Sequence, residues 1–207
     1  MKTATCFVVI AAFALICQAP GRAQESFKRG EDFLKKMQDT ADDLKSMSDH
    51  LTKTMNSLRS LSTAKGDNLK DTFGDFDKAI SNLEAKTDNV RKRATEMRAK
   101  GKDYFAAWQK EAAAIQNPEL RKASESRRTE MLAANDSLTR SMTEGRGLIV
   151  TLMGDLQDLR NFIGSDLTES AVASAQDLVA TTQADAKRVE ASVAGVQRQL
   201  GAILSRK

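Results

Sequence analysis

From Phe27 to Ile203 the apolar residues of this chain recur at steps of three and four, with three interruptions. No other feature restricts the fold as much. Steps of three and four place a stripe along one side of an α-helix, whereas a half-buried strand needs alternation at every second residue. A stripe kept up over tens of residues is also the heptad of coiled coils, so such helices must pack lengthwise against one another. Segment one reads Phe27, Gly30, Leu34, Met37, Ala41, Leu44, Ser48, Leu51, Met55, Leu58. Segment two runs from Leu69 through Phe76, Ile80, Val90 and Gly101 to Tyr104 and Trp108. Segment three runs from Leu120 through Ser124, Arg127, Met131 and Leu138 to Leu159 and Ile163. Segment four reads Val172, Ala175, Val179, Thr182, Ala186, Val189, Val193, Val196, Leu200, Ile203.

The interruptions carry helix punctuation. Gly66 suits the position just past a helix end and Asp67 an N-cap. Asn117-Pro118-Glu119 is a helix start in three residues: Asn caps, Pro occupies the first turn without losing a hydrogen bond, and Glu faces the positive end of the dipole. Gly164 ends segment three and Asp166 is expected to cap the next helix. The expected helices are therefore 25–64, 68–116, 118–163 and 166–204. Gly145 and Gly147 each weaken the third by about 1 kcal/mol relative to Ala, and a kink or break is expected there. At 1.5 Å per residue these rods are about 55 to 65 Å long. Links of a few residues force sequential helices to fold back on each other. The sequence thus predicts an all-α fold, an elongated antiparallel four-helix bundle with coiled-coil-like packing, with three long helices pairing between chains as the other solution. The stripes mix Leu, Met and Phe with Ala, Ser, Thr and Gly, which makes a thin core. Segment four, rich in Ala, Val and Thr, is expected to be the most exchangeable helix.

The N-terminus is of a different kind. Lys2 precedes the apolar run FVVIAAFALI, residues 7–16, which has the length of a secretory leader and is too short to span a bilayer. Gly21-Arg22-Ala23 is a small-x-small cleavage site, so residues 1–23 read as a signal peptide cut near Ala23/Gln24, leaving a 24–207 helical domain in the periplasm or outside the cell. Both cysteines, Cys6 and Cys17, lie in that leader, so the mature chain has no thiol for a disulfide, a nucleophile or a thiolate ligand. A lipobox needs a small residue before the Cys and usually Leu three before it. Ile16 and Ala14 occupy those places, which argues against lipid attachment at Cys17. Of the 32 Lys and Arg, Lys2 and Arg22 go with the leader, leaving 30 against 28 acidic residues, or +2. That balance does not call for nucleic acid or an anionic membrane as partner. A membrane surface stays open as a partner; a membrane span after cleavage does not.

The chemical inventory is short. His50 is the single histidine, and its acidic neighbours Asp42, Asp43 and Asp49 read as solvent-face residues, so no metal site is expected. No Ser has the glycine-flanked setting of a nucleophile elbow, and there is no phosphate-binding glycine loop. Paired carboxylates such as Asp42-Asp43 lack an apolar pocket and read as solvated faces. Asn135-Asp136-Ser137 has the form of a glycosylation sequon but lies mid-helix and reads as chance. No enzyme activity and no cofactor are expected. The best candidate site is the corner between segments two and three: Tyr104, Trp108, Arg121, Arg127 and Arg128. Arg127 falls on an apolar stripe position, where an arginine must pair, snorkel or meet a ligand. Stacking of Arg121 on Trp108 across the folded hairpin is expected. The corner is either a lock built from ion pairs or a fork for an acidic group.

Trp108-x-x-Glu111 followed by Ile115-Gln116-Asn117-Pro118-Glu119-Leu120-Arg121-x-x-Ser124-x-x-Arg127-Arg128 resembles the DUF2959 family. So do Gly66-Asp67-x-Leu69 and the stretch FIGSDLTESAVASA, residues 162–175. The resemblance implies a helical, coiled-coil-rich bacterial envelope protein of unknown function and supplies no catalytic residues. Together the readings predict an exported, non-enzymatic scaffold or interaction protein of the bacterial cell envelope, with protein partners there or self-association. The alternative is an amphipathic helical protein that binds a lipid or polymer surface.

Overall fold

The computed structural model describes residues 20–205. The apolar leader run, Cys6 and Cys17 lie outside them. Among the described residues all regular structure is helical: α1 (Pro20–Ser62), α2 (Asn68–Ala113), α3 (Pro118–Ser165), α4 (Glu169–Ser174) and α5 (Gln176–Leu204). None of these helices is long and apolar enough to cross a membrane. α1 starts five residues before the expected boundary at 25, because Pro20 sits in the first helical turn, where its missing N–H costs nothing. The expected cleavage point therefore falls inside α1 and not ahead of it.

Side-chain pairs fix how the rods lie. Lys36 reaches Glu96 at 2.7 Å, and Arg93 reaches Asp43 at 3.1 Å and Asp39 at 3.9 Å. Arg29 and Ser26 both bond Glu111. Numbers fall along α2 as they rise along α1. The same holds for α2 with α3, through Trp108 with Ser124, Glu84 with Gln157 and Asp77 with Arg160. It holds again for α3 with α5, through Gly145 against Ser192 and Ser141 with Gln199. α1 also packs on α5. The Lys36 hydrogen bond, then its charge and that of Arg93, hold the Glu96 carboxyl below the usual carboxylate range. These pairs are half-buried and still reached by solvent, so they set register more than they add stability.

The core is one continuous cluster along the helices. All ten residues of the expected fourth stripe, Val172 on α4, Ala175 at the junction and eight on α5, are buried. On α1 the expected register is half right. The buried stripe is Phe33, Met37, Thr40, Leu44, Met47, Leu51, Thr54, Leu58 and Leu61. Every second expected residue moves one place towards the N-terminus, so Phe33, Thr40, Met47 and Thr54 replace Leu34, Ala41, Ser48 and Met55 as the innermost set, and Met55 is buried beside them. Phe27, the first expected member, is exposed. Threonine misleads such a reading because its hydroxyl can bond its own helix and offer the methyl to the core. Thr40 does so to the Lys36 carbonyl at 2.7 Å, and Thr54 to that of His50 at 2.9 Å and across to Ala79 on α2 at 3.1 Å.

The punctuation holds in part. Gly66 takes a positive φ of 55° at the α1–α2 turn, a conformation glycine reaches without strain. Asp67 makes no side-chain cap. Asn117 does cap: its side chain accepts from the N–H groups of Glu119 at 3.0 Å and Leu120 at 3.1 Å. Asn117→Ala should cost about 1 kcal/mol of stability, read as a lowered urea midpoint on circular dichroism; an unchanged midpoint would remove the cap's role. Asp166 ends α3, and Thr168 is the cap of the next helix, accepting from Ala171 N–H at 3.2 Å.

Two further expectations are corrected. α3 is unbroken through Gly145 and Gly147. Gly145 is a contact point, where an added Cβ would stand 2.7 Å from the Ser192 hydroxyl. The fourth helix is interrupted at Ala175. There the Val172 carbonyl accepts from the Ala175 N–H at 3.2 Å, a tightened turn, and from the Gln176 side chain at 3.3 Å. The same Gln176 amide caps the end of α1 at Ser62, and Glu169 accepts from the Gly66 N–H at 2.9 Å. These bonds tie both turns together at one end of the molecule.

Candidate functional site

The other end carries the α2–α3 corner. α5 has 29 residues and α3 has 48. Gln199 is level with Ser141 and α5 ends a turn or so later, so α3 runs on for roughly 25 Å past it. Over that length α2 and α3 lack a helix that the rest of the molecule supplies. This explains why Met131, Leu132 and Ala134 are only partly buried although they pack against the core cluster.

Four aromatic residues meet here. Phe33 of α1 lies 5.5 Å from Tyr104 and 5.7 Å from Phe105 between ring centres, the latter edge-on. Tyr104 lies 5.5 Å from Trp108. Phe33 and Phe105 are buried, while Tyr104 and Trp108 are partly buried and form the outer side of the cluster. Trp108 donates its indole N–H to the Ser124 hydroxyl at 3.0 Å, which ties the end of α2 to the first turns of α3. Trp108 is thus paired with Ser124 and Tyr104, and among the described residues no stacking on Arg121 is found. Burial pushes the Tyr104 phenol up from its ordinary value; the Arg127 charge pulls the other way and Glu111 adds to the rise.

The arginines divide differently from the expectation. Arg127, placed by its spacing on the apolar stripe, is exposed, and Arg121 and Arg128 are half-buried. The inward one is Arg128, whose Nε is buried without a hydrogen-bond partner. The reason is register: the inner face of α3 here runs Arg128, Leu132, Asn135, one place on from the expected Arg127, Met131, Ala134, and rejoins the expected stripe at Leu138. The corner brings together Tyr104, Trp108 and, through its charge, Arg127. It adds Phe33, Phe105 and Ser124, which no spacing rule marks as a cluster, because their meeting depends on which α1 face turns to α2.

Elsewhere the chemistry is sparse. His50 donates from Nδ1 to the Ser46 carbonyl at 2.8 Å on its own helix. Among the described residues no group of three or more His, Cys, Asp or Glu is placed to hold a metal ion. Asn135 of the sequon faces inward, its Oδ1 buried and close to Gly101.

Residues 24–199 match a family model described as a protein of unknown function, DUF2959. The chain belongs to the DUF2959 family. The match takes in the α1–α2 turn, the α2–α3 corner and the α3–α5 contact. Comparison with curated proteins and with solved structures gave no match. The DUF2959 family description assigns no activity, so any role has to be argued from the geometry of this chain.

Proposed function

We propose that this protein is a non-enzymatic helical scaffold or interaction protein of the bacterial cell envelope. It is exported by its N-terminal leader, works in the periplasm or outside the cell, and acts through a protein partner there or through a second copy of itself. Its rods are read as an elongated antiparallel bundle of four, α1, α2, α3 and the α4–α5 pair, packed in the coiled-coil manner. The observation that supports this role is the end that α5 leaves uncovered. Phe27 and Leu120 there are 69% and 62% exposed. The same end of the molecule carries the half-buried rings of Tyr104 and Trp108 and the exposed Arg127. Aromatic rings and arginine are the residue types that anchor protein interfaces. The surface-binding alternative has less support. Spreading the helices on a lipid or polymer would uncover the stripe of α5, all of which is buried.

The test is affinity capture from envelope extract with the wild-type chain and with Arg127→Ala/Arg128→Ala. The expected result is a partner, or the chain itself, retained by wild type and lost by the variant, with helix content and melting temperature unchanged. Equal capture by a variant of lowered stability would make the corner a structural lock and refute the docking role.

A further inference from the structure

Midway along the rods, far from the corner, the packing leaves a cavity of about 330 Å³ between α2 and α3, floored by α1 and α5. It exists because small residues meet there: Ala94 on α2, Gly145 on α3 and Ser192 on α5. Its inner wall is apolar, with Leu44 and Met47 of α1, Met142 and Ile149 of α3, and Val193 and Val196 of α5. Its rim is basic. Arg91, Arg98 and Arg146 line it and all three are exposed. Arg91 is paired with Asp88 at 3.0 Å. Arg98 and Arg146 make no ion pair among the described residues, so the mouth keeps two uncompensated positive charges.

A second observation marks the same place. Four threonines line the cavity. Thr95, Thr139 and Thr143 each give their hydroxyl to the carbonyl four residues back, at 2.9, 2.9 and 2.8 Å. The Thr87 hydroxyl is buried and has no hydrogen-bond partner. An orphaned buried hydroxyl is unfavourable, and a polar group bound within its reach would satisfy it. Ligand sites have this build: a cavity of about 300 Å³ or more, mostly apolar, with a few polar groups that fix orientation.

We propose that this cavity binds a single-chain amphiphile with an anionic oxyacid head, the chain lying among the apolar side chains and the head meeting Arg98 and Arg146. The charge at the mouth selects the head, since guanidinium groups pair with carboxylate or phosphate through two parallel hydrogen bonds. The volume limits the chain. Taking a methylene as about the size of a water molecule in the liquid, about 30 Å³, the cavity holds roughly ten. The site is independent of the docking role proposed for the corner and stands or falls separately.

Titration calorimetry below the micelle concentration tests it, with dodecanoate and dodecyl phosphate as anionic probes, dodecanol as the neutral one and dodecyltrimethylammonium as the cationic one. Both anionic probes should bind tighter than the neutral one, and the tighter of the two identifies the head group. Arg98→Glu/Arg146→Glu changes only exposed side chains, so the fold should survive, as circular dichroism would verify. It should weaken anionic binding about tenfold or more and favour the cationic probe. Ala94→Leu, which fills the cavity from α2, should abolish binding of every probe. The proposal is overturned if neither anionic probe binds wild type, if neither binds better than dodecanol, or if charge reversal leaves the anionic affinity unchanged.

Discussion

Phe33→Ala is expected to lower the free energy of unfolding by about 3–5 kcal/mol, the range for deleting a fully buried aromatic side chain. Phe33 is essentially buried and joins α1 to α2: it packs on Tyr104 and Phe105 and faces Gly101. Leu34, its neighbour in sequence and the residue the heptad spacing would place inward, is only partly buried. Leu34→Ala should therefore cost much less. Urea unfolding followed by circular dichroism separates the two, and equal losses would mean that α1 is rotated from the face described above.

Gly101 sharpens this test. A Cβ added there would lie 2.9 Å from Cε2 and 3.2 Å from Cζ of Phe33. The ring is wedged among other rings and cannot swing away. Gly101→Ala should thus lose about 1–3 kcal/mol to overpacking, which outweighs the gain of about 1 kcal/mol in helix propensity. Leucine has neither of the clashing atoms. In a Phe33→Leu background the same Gly101→Ala change should become neutral or stabilising, a coupling that a double-mutant cycle reads directly. Additive effects would show that the two residues do not touch.

The second large effect concerns α3. Gly147 is exposed, with nothing within 4 Å of where a Cβ would stand, and the helix passes through it without interruption. Proline at that place removes a backbone hydrogen bond and collides with the preceding turn. Gly147→Pro should cost about 3 kcal/mol or more. Gly147→Ala should gain up to about 1 kcal/mol. If the chain broke at Gly145–Gly147, as glycine content suggests, proline would be tolerated and alanine would bring little. The two substitutions move the unfolding midpoint in opposite directions only if the helix is continuous.

The glycines show why composition misreads this chain. Glycine costs about the same helix propensity wherever it stands, so the sequence cannot distinguish Gly147, which faces solvent, from Gly145, which lets α3 approach α5, or Gly101, which makes room for a ring. What separates them is the neighbour on another helix. Arg127 and Arg128 pose the same problem: one residue of register, about 100° around the helix, decides which arginine turns inward, and a heptad written from either end of α3 can be phased both ways through Ser124 and Ala134.

Helical identity, the capped start at Asn117 and the buried face of α5 all follow from the amino-acid order, because they depend on interactions within about one turn or on a long unambiguous stripe. The rotation of α1, the uncovered end past α5, the Phe33–Tyr104–Phe105–Trp108 cluster and the basic-rimmed cavity were decided only in three dimensions. Each requires residues tens of positions apart to meet, and small side chains on three helices to fall at one level. Local periodicity carries no record of that height.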